Sequence, residues 1–308
     1  MPDWGQVLVE ITTLKSEGVQ QSQYAVDLVR RRYLTQLHDY TKRNIIAYYS
    51  GWLSKPDIAQ TDIDDEDKNG FMMACHDINK KAGLDLILHS PGGSIAATQS
   101  IVDYLHQMFG NNIRAIIPQI AMSAGTMIAC SCREILMGKH SNLGPIDPHL
   151  AGVPAYGVIQ EFKQACHEVK NDPSKAPIWQ AIIGQYRPTF LRQCKYAIDW
   201  SNDFVRHELE SVMFENDKDA KTKAKTIVRK LTDFRGNKTH NRHIHYSELH
   251  GMGLNVTPIE NDPKLQDLIL TVHHCYMHSI MNTTAFKMIE NHRGSALVKQ
   301  QATVVVQR

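Results

Sequence analysis

Several features that define other protein classes are scarce in this 308-residue sequence. It has no uninterrupted apolar run of about 18 residues, the length that a membrane-spanning helix needs. Residues 1–10 lack the basic and then apolar pattern of a secretion signal. Basic and acidic residues number 34 and 32, without a basic stripe, which argues against nucleic acid or an anionic membrane as partner. We therefore expect a cytoplasmic protein with no membrane and no nucleic-acid partner.

Cysteine is also scarce, with six residues that lie mostly in apolar or helical segments. The spacing of Cys130 and Cys132 is too tight for a usual structural zinc pair. Buried, reduced thiols of a cytosolic protein are the simpler interpretation.

Histidine is more plentiful, with 16 residues. Two groups stand out: the first holds His240, His243, His245 and His250, and the second pairs His274 with His278 one helical turn away. Neither group has a His-Glu-x-x-His motif, or a carboxylate or cysteine at the customary interval for zinc. We expect surface or packing histidines, no metal and no cofactor.

Three short apolar runs at residues 84–89, 113–121 and 134–137 are separated by segments of helical spacing. This order predicts a βαβαβ unit. The runs are rich in Leu and Ile with little alternation, which is typical of parallel strands that are covered on both faces. The sequence therefore predicts an α/β fold.

The two connections in this unit carry the candidate chemistry. Pro91-Gly92-Gly93 forms a turn before one helix, where glycines leave their N–H groups free to point at one spot. Ser123 precedes the next helix and is followed by the small residues Ala124 and Gly125. An acyl-transfer enzyme needs a nucleophile and donors that hold the developing oxyanion.

Ser123 is accordingly our candidate nucleophile, and Gly92, Gly93 and Ala124 are candidates for the oxyanion hole. The alternatives are structural. A serine at this place can be a helix N-cap, and the two glycines can serve turn geometry alone.

Three motifs resemble a known superfold. Ser-Pro-Gly-Gly at 90–93, Met-Ser-Ala-Gly-Thr at 122–126 and the segment 140–148 are similar to the ClpP/crotonase superfold. Within it, the serine dehydrogenase proteinase family, related to signal peptide peptidase A, is most similar, and residues 245–256 resemble a later stretch of that branch. The resemblance implies a repeated ββα/βαβ core with a mostly parallel sheet and a serine peptidase that acts as a homo-oligomer.

The resemblance leaves the general base open. It places Ile146 where ClpP-type members carry a histidine, whereas peptidase A relatives use a lysine. The nearest lysine in the helix predicted after Pro154 is Lys163, which must be desolvated to act as a base and can equally be a solvated helix residue. His140, Asp147 and His149, near the ends of strands, compete with Lys163 for the role of the base or act as accessory residues. Asp147 can instead brace a turn, and a neighbouring subunit can also supply the base.

The chain order predicts four parts: an N-terminal helical segment (1–43), a catalytic core (44–153), a helical insertion that returns to the core (154–260), and a C-terminal helix and tail (261–308). Within them we expect a long helix over 264–292 and a β-prone stretch at 303–306. The run Arg30-Arg31-Arg32 predicts a solvated face or a subunit contact. The acidic segment 61–67 predicts a helix start rather than a calcium loop.

The sequence thus favours an ATP-independent cytoplasmic serine peptidase that cleaves protein or peptide substrates through an acyl-Ser123 intermediate. A catalytically inactive peptide-binding scaffold on the same fold is the alternative, because a base is not evident. A crotonase-like acyl-thioester enzyme is a third reading, but it requires a coenzyme A pocket and acidic catalytic residues that the sequence does not reveal.

Overall fold

The computed structural model describes residues 3–16, 22–150, 152–233, 236 and 239–301. The helices are α1 (Trp4–Ser16), α2 (Ser22–Thr41), α3 (Asp67–Cys75), α4 (Ile95–Phe109), α5 (Ala124–Cys130), α6 (Ala155–Asn171), α7 (Ala176–Ile183), α8 (Phe190–Glu208), α9 (Ala220–Leu231), α10 (Tyr246–Met252) and α11 (Pro263–Asn282). The strands are β1 (Asn44–Ser50), β2 (Leu84–His89), β3 (Ile113–Ile117), β4 (Ile120–Ala121), β5 (Glu134–Met137), β6 (Asn142–Leu143), β7 (His149–Leu150), β8 (Val153–Pro154), β9 (Ile244–His245), β10 (Val256–Pro258), β11 (Ala285–Asn291) and β12 (Ala296–Gln300).

The central sheet has seven strands in the order β10-β5-β3-β2-β1-β11-β12. Neighbours from β10 to β1 pair in parallel, with Ile46 of β1 opposite Leu86 of β2. The last two strands, β11 and β12, join one edge in antiparallel orientation. The predicted α/β fold with a mostly parallel sheet is confirmed.

Both faces of this sheet are covered, which explains the unbroken apolar runs of its strands. Along β1, Ile46 and Tyr48 point into the cluster that α3, α4 and α5 cover. Their neighbours Ile45, Ala47 and Tyr49 point into a second cluster with α2 and α11. The sheet therefore separates two hydrophobic layers, and the carboxyl ends of its strands remain as the edge where side chains can meet.

The C-terminal helix is shorter than predicted. α11 ends at Asn282, and strand β11 follows where the sequence indicated helix up to residue 292. Every residue of Ala285–Asn291 is buried against β1, so its apolar residues were mistaken for a continued helix face. The β-prone stretch at 303–306 lies outside the described residues.

The arginine run is solvated only in part: Arg31 and Arg32 are exposed, whereas Arg30 is not. Arg30 is buried, and its Nε donates to Glu290 of β11 at 2.6 Å. Arg31 donates to the other oxygen of the same carboxylate at 2.8 Å. A sequence pattern could not reveal this partner because it lies near the opposite end of the chain.

A second, small sheet brings two distant segments together. β6 pairs in parallel with β4 and in antiparallel with β9, so Leu143 lies opposite both Ala121 and Ile244. The residues just before β9 therefore lie beside the loop that follows β6. In the part of the chain that the structure describes, no helix has the length and apolar character for crossing a membrane.

Candidate active site

The Pro-Gly-Gly turn lies between β2 and α4 and is held by a passing backbone segment. Ile63 N–H donates to Gly92 O at 2.7 Å, and Ser94 N–H donates to Ile63 O at 2.9 Å. A Cβ atom on Gly93 would lie 2.3 Å from Ile63 O, so only glycine fits this close approach. Ser94 then caps α4, because its side chain accepts from Ala97 N–H at 3.3 Å. These bonds fix the backbone path of the turn.

Ser123 stands immediately before α5 in an unusual backbone conformation. Its φ is +50° and its ψ is −113°, in a region that residues with a Cβ rarely adopt. Although Ser123 occupies the N-cap position, its side chain makes no capping hydrogen bond. The capping interpretation of this serine is therefore not supported. Strained backbone of this kind concentrates at active sites and ligand clamps.

The turn and the serine corner meet in space. Ser90 N–H donates to Ile120 O at 3.3 Å, and Met122 N–H donates back to Ser90 O at 2.9 Å. A Cβ atom on Gly92 would lie 2.6 Å from the Ser123 Cβ atom. The backbone of the glycine turn therefore lies directly against the serine side chain.

The two glycines of the turn differ in their hydrogen bonds. Gly92 N–H donates to Ser90 Oγ at 3.1 Å, so it is engaged within the turn. Among the described residues, the N–H groups of Gly93 and Ala124 have no acceptor. One unengaged amide thus lies on each of the two adjoining corners. Such a pair is the usual form of a site for a developing oxyanion.

A cavity of about 530 Å³ opens beside Ser123. This volume lies within the range of sites that hold small ligands or peptide side chains. Its lining combines apolar and polar side chains, and it includes Gly93, Ser123, Ile146, His149, Trp200 and His240. Ser123 is only half-buried, so its hydroxyl is accessible from this cavity.

A carboxylate and two imidazoles lie together at this cavity. His240 Nδ1 is 2.9 Å from Asp147 Oδ1, and His149 Nε2 is 3.6 Å from Asp147 Oδ2. The first distance is that of a hydrogen bond, and the second is slightly longer than one. The ring centroids of His149 and His240 are 4.2 Å apart. Asp147 is buried, whereas both histidines reach the solvent.

Asp147 stays ionised at neutral pH. Burial alone would raise the pKa of this carboxyl group, but the bonds and charges of His149 and His240 outweigh it and hold the pKa below its ordinary value. The buried carboxylate can therefore accept the Nδ1–H of His240. This bond selects the tautomer in which His240 Nε2 carries no proton and can act as a base.

Two residues named from the sequence lie elsewhere. His140 Nε2 bonds to Pro118 O at 2.9 Å, and His140 is not part of the cavity lining. Lys163 is exposed on α6, where it lines a separate groove with Phe162 and Leu191. The structure brings Ser123, Gly93, Ala124, Asp147 and His149 together, and it does not bring His140 or Lys163 to them.

His240 is the residue that the sequence did not identify as a candidate base. The sequence groups it with His243, His245 and His250 as a surface or packing histidine, because no carboxylate or cysteine lies near it at the interval that a zinc site requires. Its partner Asp147 is reached only through the pairing of β9 with β6. A local motif carries no signal for a contact of this kind.

One group of side chains in the described residues has the donor types and spacing of a metal site. Asp147, His149 and His240 each offer one ligand atom, and these atoms lie within 4.8 Å of one another. Two imidazoles with a carboxylate suit zinc and related transition metals. The same three residues can therefore serve either acid–base chemistry or metal binding.

Comparison with known proteins gives one family and two relatives. The family model described as ClpP-like SDH-type serine proteinase matches residues 20–290. Two uncharacterized proteins of Methanocaldococcus jannaschii are each 29% identical to this chain, over 215 and 191 residues. These alignments cover 70% and 62% of this chain. The chain spans only 66% and 58% of the lengths of these two curated relatives.

Proposed function

Because this chain belongs to the family of ClpP-like SDH-type serine proteinases, we propose that it is a serine peptidase with Ser123 as its nucleophile. The observation that carries the proposal is the position of Ser123. The Ser123 side chain makes no capping hydrogen bond, and its backbone is held at positive φ. It lies against the glycine turn and lines the cavity that His240 also lines. In the proposed reaction, the acyl group of the substrate is transferred to the Ser123 hydroxyl, and water then hydrolyses the acyl-Ser123 ester.

His240 is the proposed general base. Asp147 accepts its Nδ1–H and orients the ring, which leaves Nε2 as the nitrogen that can take the Ser123 proton. The imidazolium that forms is stabilised by the buried Asp147 carboxylate. His240 Nε2–H then donates its proton to the leaving amine, and a water molecule attacks the acyl-Ser123 intermediate in the second half of the reaction.

The N–H groups of Gly93 and Ala124 are the proposed oxyanion donors. Both lack an acceptor among the described residues, so each can bind the carbonyl oxygen without breaking an internal bond. Gly92 has a different role, since its missing side chain makes room for Ser123. The chain would therefore hold protein or peptide substrates through the scissile carbonyl, with a substrate side chain in the cavity. A cytoplasmic location, a homo-oligomeric state and independence from ATP remain predictions.

A panel of fluorogenic peptides tests this proposal. Ser123→Ala and His240→Ala should each lower kcat/KM by at least about 100-fold, because they remove the nucleophile and its base. His243→Ala is the matched control, since this exposed histidine follows His240 in the same segment. Hydrolysis that persists in Ser123→Ala at the wild-type rate would contradict the assignment.

A peptide-binding protein without catalysis is the second candidate. It is favoured by one observation: among the described residues, Ser123 Oγ has no hydrogen-bond partner, and neither histidine is bonded to it. Catalytic hydrogen bonds are often long before substrate binds, so this observation alone does not decide between the two. Peptide capture without cleavage, with affinity unchanged by Ser123→Ala, would select the binding protein.

A further inference from the structure

We propose that Asp147, His149 and His240 form a reversible site for a divalent transition metal of the zinc class, and that metal binding there inhibits the peptidase. Metal binding rests on the geometry of the three side chains. Inhibition rests in addition on the proposed role of His240. The two parts are therefore tested by separate measurements.

The donor set fits the metal. Two imidazole nitrogens and one carboxylate oxygen lie within 4.8 Å of one another, and small side-chain rotations bring such atoms to the roughly 2.0–2.2 Å zinc–ligand distances. The set is borderline in softness, which favours zinc over magnesium or calcium. Three protein ligands leave a coordination position for water, as in open zinc sites.

The site is accessible and is assembled by the fold. The side chain of His149 is 32% exposed, and that of His240 is 19% exposed, so an ion can reach both rings through the cavity. Asp147 is already buried between them and lacks a competing cation among the described residues. Because His240 belongs to the segment before β9, the metal also links that segment to the loop after β6.

Coordination and catalysis compete for the same imidazole. A metal on His240 Nδ1 displaces the proton of the Asp147 bond, and the neutral ring then carries its proton on Nε2. A metal on Nε2 occupies that nitrogen directly. In both cases Nε2 has no lone pair for the Ser123 proton, so the acyl-transfer step stops while metal is bound.

Binding is measured on the whole chain without reference to activity. Zn²⁺ titration by calorimetry after chelator treatment should give one equivalent per chain, and Co²⁺ should give visible ligand-field absorption. His149→Ala should weaken Zn²⁺ binding by at least about tenfold, because a ligand is lost. His243→Ala and Ser123→Ala should bind as the wild type does, since neither residue is a ligand. Equal affinity in His149→Ala and the wild type, or no binding below about 1 mM Zn²⁺, would overturn the site.

Inhibition is measured as peptide hydrolysis over a series of Zn²⁺ concentrations. The concentration that halves wild-type activity should match the calorimetric Kd. If hydrolysis is unchanged when Zn²⁺ fully occupies the site, or if a chelator abolishes hydrolysis, the proposed inhibition is wrong. Neither result would contradict the metal site itself. If the protein binds Zn²⁺ but has no peptidase activity, the proposed function and the inhibition are contradicted, whereas the metal site is supported.

Discussion

At the scale of single residues, the site depends on the absence of a side chain at Gly92. The φ of Gly92 is +107°, and a Cβ atom there would lie 2.6 Å from Ser123 Cβ and 3.1 Å from Ala124 N. A larger residue must therefore push Ser123, the proposed nucleophile, and Ala124, a proposed oxyanion donor, out of place. Displacements of about 1 Å in a catalytic site can cost roughly 100-fold in rate.

Gly92→Ala tests this dependence. We expect labelling by a fluorophosphonate probe to slow by about 100-fold, while the protein remains folded by circular dichroism. Gly253→Ala is a matched control, because Gly253 has a φ of +100° but open space around its missing Cβ. Equal labelling rates in the two variants would show that the contact between Gly92 and Ser123 does not matter.

At the scale of elements, the end of α8 meets α4 at a buried carboxyl group. Burial and the nearby charge of Asp103 raise the pKa of Glu208 to about 7. His106 Nδ1 is 3.5 Å from Glu208 Oε2, but burial lowers the pKa of His106, so this ring offers little positive charge at neutral pH. Among described residues, Glu208 Oε2 has no hydrogen-bond partner.

The contact between α8 and α4 should therefore weaken as pH rises. Between pH 4.5 and about 7 the folded protein keeps the Glu208 proton that the unfolded chain releases, so the free energy of unfolding falls across this window. Glu208→Gln should remove this slope and stabilise the protein by about 1–2 kcal/mol at pH 8, with no gain at pH 4. Urea unfolding at both pH values measures the difference.

Glu210→Gln is the control for this prediction, because Glu210 lies nearby with a partly exposed carboxylate. An equal gain in stability at pH 8 in Glu208→Gln and Glu210→Gln would show that the buried Glu208 carboxyl group is not the source of the pH dependence.

At the scale of the whole molecule, a C-terminal strand is linked by hydrogen bonds to the segment that holds the glycine turn of the candidate site. Lys287 of β11 is fully buried, and its Nζ donates to Asp62 O at 2.6 Å and to Asp67 Oδ1 at 2.9 Å. Asp62 precedes Ile63, the residue whose backbone pairs with the glycine turn. The last part of the chain is thereby connected to the proposed oxyanion donors.

Lys287→Met should cost about 3 kcal/mol in the free energy of unfolding, because it removes the nearer of two cations from the buried Asp67 carboxylate and leaves only Lys299, whose Nζ is 3.7 Å from Asp67 Oδ1. We also expect slower fluorophosphonate labelling, since the Ile63 segment loses its anchor. Lys223→Met is the control, because the ion pair of Lys223 with Asp217 is exposed and screened by solvent, so its loss should cost far less. Unfolding in urea gives both values, and a similar cost in the two variants would refute the prediction.

The local parts of the fold could be predicted from the sequence. Leu84–His89 and Glu134–Met137 form strands with the predicted bounds, because their apolar runs and flanking turns are local signals. The Ser123 corner and the glycine turn were likewise predicted as neighbours, since successive βα junctions of a parallel sheet lie at one edge.

The long-range parts could not be predicted. Glu290 meets Arg30, and Asp147 meets His240, through strand pairings that no spacing rule encodes. The helix expected over 264–292 failed for the same reason, because only pairing with β1 decides that residues 285–291 are extended. The division into four parts and the tail at 303–306 stay predictions.

Mass spectrometry of the protein after reaction with a fluorophosphonate tests whether Ser123 is a nucleophile that His240 activates. We expect one adduct per chain on Ser123, formed at least about 100-fold more slowly in His240→Ala and at the wild-type rate in His243→Ala. An adduct on another residue, or a labelling rate at Ser123 that does not depend on His240, would contradict the proposed roles of Ser123 and His240.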